Sequence, residues 1–146
     1  MGDTPRLRPP IPADAPVLAE LAGELGYPTS TEALLGRLAA LHPTDAAVVV
    51  ATDANDLPTG WCHVEMRRTL VEPKSALIVA LVIGEGHRSS GIGAELLAAA
   101  EAWARARGCE RMVVATRVTR ERAHRFYARE GYELAKTSYF MSKELN

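Results

Sequence analysis

Little in this 146-residue chain is aromatic: Phe, Trp and Tyr make up 5% of it. That is too few rings for the stacking platforms that hold single-stranded nucleic acid. Nor does one sign of charge dominate. Seventeen Lys and Arg stand against 18 Asp and Glu, for a net charge of −1, so no global field draws the chain to nucleic acid or to an anionic membrane. No apolar run approaches the ~20 residues of a membrane span. The segment Met1-Gly2-Asp3-Thr4-Pro5-Arg6 lacks the apolar stretch of a signal peptide. These absences predict no nucleic-acid partner, no membrane and a cytoplasmic location. Cys62 and Cys109 show no CxxC spacing, which predicts two reduced thiols. The four histidines have no ligand spacing and HExxH does not occur, so no metal is expected. GxSxG is also missing, which removes a serine-hydrolase reading.

What is present is an ordinary globular composition, 47% apolar and 24% charged, in a length that predicts one domain over 1–146. Arg6-Leu7-Arg8 before Pro9-Pro10 reads as an edge strand, since proline cannot donate to a ladder. From Ala13 to Leu25, the residues Val17, Leu18, Leu21, Ala22 and Leu25 recur at helical spacing, with Pro16 in the first turn. Ser30 or Thr31 can cap a second helix reaching Leu41, with Leu34, Leu35, Leu38 and Leu41 as its apolar face. Ala46 to Thr52 and Leu57 to Met66 read as a hairpin around Asp53-Ala54-Asn55-Asp56, with Gly60 marking a bulge or a close backbone approach. Ala76 to Ile83 is the most strand-like segment, with the composition of a strand buried on both faces. Gly91 to Arg107 reads as one long helix with Ile92, Leu96, Ala99, Ala100 and Trp103 as its stripe and Gly108 as its cap. A strand over Arg111 to Thr116, a short helix over Arg120 to Glu130 ended by Gly131, and a last pair of strands at Leu134 to Ala135 and Thr137 to Met141 complete a mixed α/β domain.

The junction His87-Arg88-Ser89-Ser90-Gly91-Ile92-Gly93-Ala94 carries the most chemistry. A P-loop would need Lys-Ser/Thr where Ile92-Gly93 stand. A Rossmann fingerprint finds only two of its three glycines, in Gly84-Glu85-Gly86-His87-Arg88-Ser89, after a strand too late in the chain. The remaining phosphate-binding reading is Arg-x-x-Gly-x-Gly opening a helix. Its glycines admit an anion close to the backbone, its orphan N–H groups and dipole attract one, and Arg88 adds a charge. Read alone, the same residues also fit a plain strand-to-helix turn with a solvated Arg88.

Further along stands Ala123-His124-Arg125-Phe126-Tyr127-Ala128-Arg129-Glu130-Gly131-Tyr132. With both stretches in this order, the chain resembles the GNAT superfamily of acyl-CoA-dependent N-acetyltransferases over nearly its whole length. Arg88-Ser89-Ser90-Gly91-Ile92-Gly93 is similar to that family's Q/R-x-x-G-x-G/A pyrophosphate loop. The Phe126-Tyr127-x-x-x-Gly131-Tyr132 stretch is similar to its late helix and the strand after it.

The resemblance implies a mixed, mostly antiparallel central sheet flanked by helices. It also implies acetyl-CoA as co-substrate and direct attack of a primary amine in a ternary complex. The backbone of Leu81, Val82 and Ile83 would meet the pantetheine arm. Arg88 and the N–H groups from Ser89 through Ser90, Gly91, Ile92 and Gly93 to Ala94 would hold the pyrophosphate. Tyr127 would protonate the departing thiolate. Arg120 stands where many members carry an Asn that touches the CoA arm. Two positions where relatives place a glutamate base hold Leu77 and Ala115 here, which leaves His63 and Glu65, alternating onto one face, as candidates. Glu20, Glu24, Tyr27 and Glu65 would favour a cationic acceptor, a small-molecule amine or a protein N-terminus. Family habit implies a homodimer. The missing glutamates keep a non-catalytic acyl-CoA sensor as the alternative.

Overall fold

A computed structural model of the chain describes residues 6–146, so Met1 to Pro5, and the leader argument drawn from them, lie outside the described residues. The chain divides into two compact units, 1–114 and 115–146.

The first unit holds a five-stranded sheet in the order β1-β2-β3-β4-β5, from β1 (Arg6–Arg8), β2 (Ala46–Thr52), β3 (Pro58–Arg67), β4 (Ser75–Ile83) and β5 (Arg111–Val114). Each of the first four strands runs antiparallel to its neighbour, and only β4 and β5 are parallel. A parallel pair needs a long crossover, which α3 (Ile92–Ala106) supplies. The helices α1 (Ala15–Glu24) and α2 (Thr31–Ala40) intervene between β1 and β2. The Ser30 hydroxyl caps α2 by accepting from Ala33 N at 3.1 Å.

Strand β3 shows how the sheet separates its faces. Cys62 and Val64 are fully buried, while Trp61, His63 and Glu65 on the other face are half-buried. The indole of Trp61 donates to the carbonyl of Leu18 at 3.2 Å, so α1 lies on the Trp61 face. Burial pushes the Cys62 thiol up to about 12, and both cysteines are free. Gly60 is needed for proximity: a Cβ there would come within 2.8 Å of both Ile83 Cδ1 and the Val82 carbonyl.

The entrance to α1 is fixed by charge. Arg8 makes a two-pronged contact to the buried Asp14, Nη1 to Oδ2 at 2.8 Å and Nη2 to Oδ1 at 2.9 Å, and its Nε reaches Asp56 Oδ1 at 2.9 Å. Asp14 also accepts from Ile11 N at 2.8 Å. These donors, Arg8 foremost, hold the Asp14 carboxyl below its ordinary range.

Three expectations change. Strand β4 is not buried on both faces: Val79 is 44% exposed and Leu77, Ala80, Leu81 and Ile83 are half-buried, because the strand bulges and then outruns β5. The buried stripe of α3 is Ile92, Leu96, Leu97, Ala100 and Ala104; Trp103 is instead covered by Arg107, whose guanidinium carbon sits 4.2 Å from its ring centroid. Residues 134–141 form no strands, and Leu134, Tyr139, Phe140 and Met141 are exposed. Strand propensity is realised only when a ladder partner exists, and a lone hairpin is marginal in water.

The second unit contains α4 (Glu121–Arg129). Gly131, at φ 96°, closes it: Tyr132 N donates to the Tyr127 carbonyl at 2.9 Å and Gly131 N to the Ala128 carbonyl at 3.1 Å. This is the left-handed glycine cap with its usual apolar contact, here the Tyr127 and Tyr132 rings at 5.6 Å.

Candidate active site

Strand β4 does two different things along its length. Its first half, Ser75 to Ile78, is paired on both sides, to β3 and to β5. Pairing with β5 then stops at Ile78–Val114. From Val79 to Ile83 the edge away from β3 has no strand beside it among the described residues. Leu81, Val82 and Ile83, the positions expected to present backbone to a pantetheine arm, lie in this open half.

A bulge sits where the open half begins. His63 pairs Ala80 and Val64 pairs Ile78, so Val79 is an extra residue in β4. The extra residue reverses the alternation. Before it Leu77 shares a face with Glu65, and after it Ala80 and Val82 share a face with His63 and Trp61.

Beyond Ile83 the chain turns through a short 3-10 turn at Glu85–His87 into the Arg88–Gly91 loop and α3. Gly91, the N-cap, is left-handed at φ 87°, and a Cβ on it would meet no atom within 4 Å. The glycine is therefore required by conformation, and the space beside it stays open to a ligand. Ser89 is also left-handed, at φ 66°. Ser90 Oγ donates to the His87 carbonyl, tying the loop to itself. The N–H groups of Ile92, Gly93 and Ala94 occupy the first turn of α3, where a helix has no internal acceptors for them. A 15-residue helix places the positive end of its dipole here. Arg88 is held outside this cradle: its Nε donates to the Ile83 carbonyl at 3.2 Å and its Nη2 lies 3.7 Å from Glu24 Oε1.

On the Trp61 face, α1, α2 and the sheet enclose a cleft of about 440 Å³. Apolar residues make most of its wall, among them Leu18, Leu34, Leu38, Val48 and Val79. Tyr27, Thr29, Arg37, Trp61 and His63 add polar groups. Of the four residues expected to favour a cation, only Tyr27 lines it. Glu24 instead accepts from Glu85 N at 3.0 Å and faces Arg88. His63 Nε2 is buried with no hydrogen-bond partner. Burial holds its pKa below the ordinary histidine value, with Glu65 opposing by its charge. Arg37 was missed by a reading that saw α2 only as a leucine stripe. Its position three residues from Leu34 and four from Leu41 was the available signal.

In the second unit, Tyr127 is the buried residue of α4, its ring edge-on to Phe126 at 5.0 Å and to Tyr132. Arg120 is the N-cap of that helix, with its N–H donating to the Arg117 carbonyl at 3.0 Å. Ala115 begins this unit and carries no base. Leu77, paired to Glu65 and Val113, carries none either.

A strand with one edge open, running into a helix start with free N–H groups and backed by an apolar cleft, has the layout of a two-substrate group transferase. The chain belongs to the acetyltransferase (GNAT) family, whose profile matches residues 17–132. It is similar to an aminoglycoside N(6')-acetyltransferase type 1 of Stenotrophomonas maltophilia, at 29% identity over 137 residues, covering 91% of this chain and 89% of that protein. Over a shorter stretch of 56 residues it is 46% identical to the aminoalkylphosphonate N-acetyltransferase of Salmonella typhimurium, covering 38% of this chain and 36% of that one. The fold matches that of an aminoglycoside N-acetyltransferase solved in complex with CoA, with a TM-score of 0.85 at 18% identity, covering 99% of this chain and 98% of that one. The protein is thus an acetyl-CoA-dependent acetyltransferase whose acceptor is an amine. Nothing supports the non-catalytic sensor.

Proposed function

We propose that the acceptor is the primary amine of a small molecule, which attacks acetyl-CoA directly in a ternary complex. Both curated relatives are named for small amine-bearing acceptors. The observation that carries the reading is the change in β4 at Val79, from a strand paired on both edges to one with an open edge above the loop. An extended pantetheine arm carries amide groups, and a free strand edge is a ready partner for them. In this reading Leu81, Val82 and Ile83 receive the arm. The N–H groups from Ser89 to Ala94 receive the pyrophosphate. Arg88 exchanges its exposed contact with Glu24, worth about 0–1 kcal/mol, for a phosphate oxygen, and Arg120 contacts the cofactor.

Tyr127 donates a proton to the departing CoA sulfur. A tyrosine hydroxyl is a donor and can give its proton to a thiolate as it forms. No cysteine takes part: the Cys62 thiol is buried and pushed up to about 12, which suppresses the nucleophilic thiolate. Two free thiols and an acetyl-CoA donor fit action in the cytoplasm. A homodimer belongs to the same reading, since a second copy would cover the apolar Leu134, Tyr139, Phe140 and Met141. A single domain over 1–146 does too, because 32 residues are too few to fold alone without staples.

The test is CoA-thiol release from acetyl-CoA across a panel of small amines, run beside thermal unfolding with and without CoA. Turnover on at least one amine, with CoA raising Tm, is the expected result. Acetylation confined to protein N-termini would overturn the small-molecule acceptor.

A further inference from the structure

The cleft beside the bulge has a chemistry that a polycationic acceptor does not match. Among the described residues no Asp or Glu lines it, while Arg37, an exposed residue of α2, does. Among the described residues, Arg37 has no hydrogen-bond or ion-pair partner in its own chain. Most of the wall around it is leucine, valine and alanine, with Tyr27, Thr29, Trp61 and His63 among them. Opposite in kind stands His63, whose Nε2 is buried without a partner. A buried polar atom left unpaired is costly, so the imidazole gains by turning Nε2 toward a donor in the cleft that His63 lines. A positive side chain, a proton acceptor and an apolar wall together describe their complement: one anion, one ammonium and an apolar body.

Resting on the small-molecule reading above, we propose that the acceptor is a monoamine with an apolar body and one anionic group. Arg37 holds the anion and His63 takes the ammonium proton. The anion is a carboxylate or a group of the same charge.

The reaction balances as follows. The ammonium gives one proton to neutral His63, which passes it to solvent. The freed nitrogen lone pair attacks the thioester carbonyl carbon. The C–N bond forms, the C–S bond breaks, and its electron pair leaves on sulfur. The second proton lost by nitrogen balances the one taken up by sulfur. The products are an amide, CoA thiol and one proton. Other titratable groups around His63 are few: Glu65 on its own strand, Arg37 from α2 and Tyr27 from the loop after α1. The facing positions on β2 and β4 are Val48 and Ala80. Burial keeps the imidazole neutral, and so able to accept.

The experiment compares kcat/KM for L-phenylalanine with L-phenylalaninamide, and L-leucine with L-leucinamide, with neamine as the polycation. Each pair differs in the anion and in the amine pKa, lower in the amide, so kcat/KM is compared across the pH range rather than at one pH. The expected result is at least about a tenfold preference for the amino acid in each pair, a preference Arg37→Gln abolishes mainly through KM and Arg37→Lys restores in part. Circular dichroism and Tm check that each variant is folded. For His63→Gln, the pH profile is the readout that a merely structural role would not move. Wild-type kcat/KM on the amino acid levels off above the imidazole pKa, whereas the variant keeps rising about tenfold per pH unit toward the amine pKa. Amides acetylated as well as the amino acids, neamine preferred, or parallel pH profiles would overturn this proposal while leaving small-amine acetylation standing. Failure to acetylate any of the five amines, with CoA still raising Tm, would overturn this proposal. Failure across the wider amine panel as well would overturn the small-molecule reading itself.

Discussion

The two sides of β4 are built in different ways. Toward the Arg88–Gly91 loop, the groups on offer are backbone: the open edge from Val79 to Ile83 and the first N–H groups of α3. Toward the cleft they are side chains, from α1, the loop after it, α2, β2, β3 and β4. A site made of backbone depends on conformation and tolerates most side chains. A site made of side chains changes with each substitution. The donor, CoA, is common to a family. The acceptor differs between the two relatives, and in the reading proposed above each substrate meets the matching kind of surface.

Removing the proposed leaving-group acid probes the chemistry rather than either surface, and it carries the largest expected effect. Tyr127→Phe keeps the rings that pack in the second unit and deletes one hydroxyl. It should lower kcat by ~10²-fold or more, with CoA protection in thermal unfolding unchanged. Wild-type turnover in the folded variant would sink the acid role.

Next in size is the clamp at the entrance to α1. Asp14→Ala leaves Arg8 without its main partner and should cost about 3 kcal/mol of stability, read by urea unfolding. Because the folded carboxyl is held below its ordinary value, the clamp stabilises the protein above the unfolded-chain value near 4. That contribution is lost as pH falls through the lower folded value. Wild type should therefore lose stability on acidification by a component that Asp14→Ala lacks. Identical acid-unfolding slopes would remove the clamp from the account.

The backbone side is tested by Gly91→Val. A β-branched residue at φ 87° costs about 1–3 kcal/mol and fills the space left beside the loop. CoA affinity should fall by about tenfold or more, measured by calorimetry. Trp61→Phe is the counterpart in the cleft. It removes the indole bond to Leu18 and loosens α1 by about 1 kcal/mol, so acceptor KM should rise while CoA affinity holds. Ser90→Ala should be the mildest, changing CoA affinity no more than a few-fold, since it removes a bond to the His87 carbonyl and leaves every N–H in place. If Ser90→Ala weakened CoA as much as Gly91→Val, the contrast between backbone and side-chain surfaces would fail.

Much of this was legible in the sequence, and the reasons are local. The hairpin of β2 and β3, the capping Ser30, the start of α3 after Gly91 and the closing Gly131 each follow from spacing, cap chemistry or a left-handed glycine. The loop stood out because a left-handed helix start leaves a glycine signature. His63 and Glu65 were recoverable as neighbours on one face by alternation, but not as different from each other. Burial alone separates them, leaving His63 Nε2 unpartnered. The last strands failed because strand propensity near Tyr139-Phe140-Met141 says nothing about a partner.

By itself, then, the sequence determined most of the elements, the glycine-marked loop before α3 and the family to which they belong. These depend on contacts within a few residues, where periodicity and backbone conformation decide. The tertiary structure decided the rest. Val79 becomes a bulge only through the register of β3 against β4, and β4 gains an open edge only because β5 stops at Val114. Arg37 and His63, 26 positions apart, line one cleft only because α2, packed against α1, stands across that cleft from the sheet. Register and packing are set by the summed burial of many residues, and no short stretch of sequence records that sum.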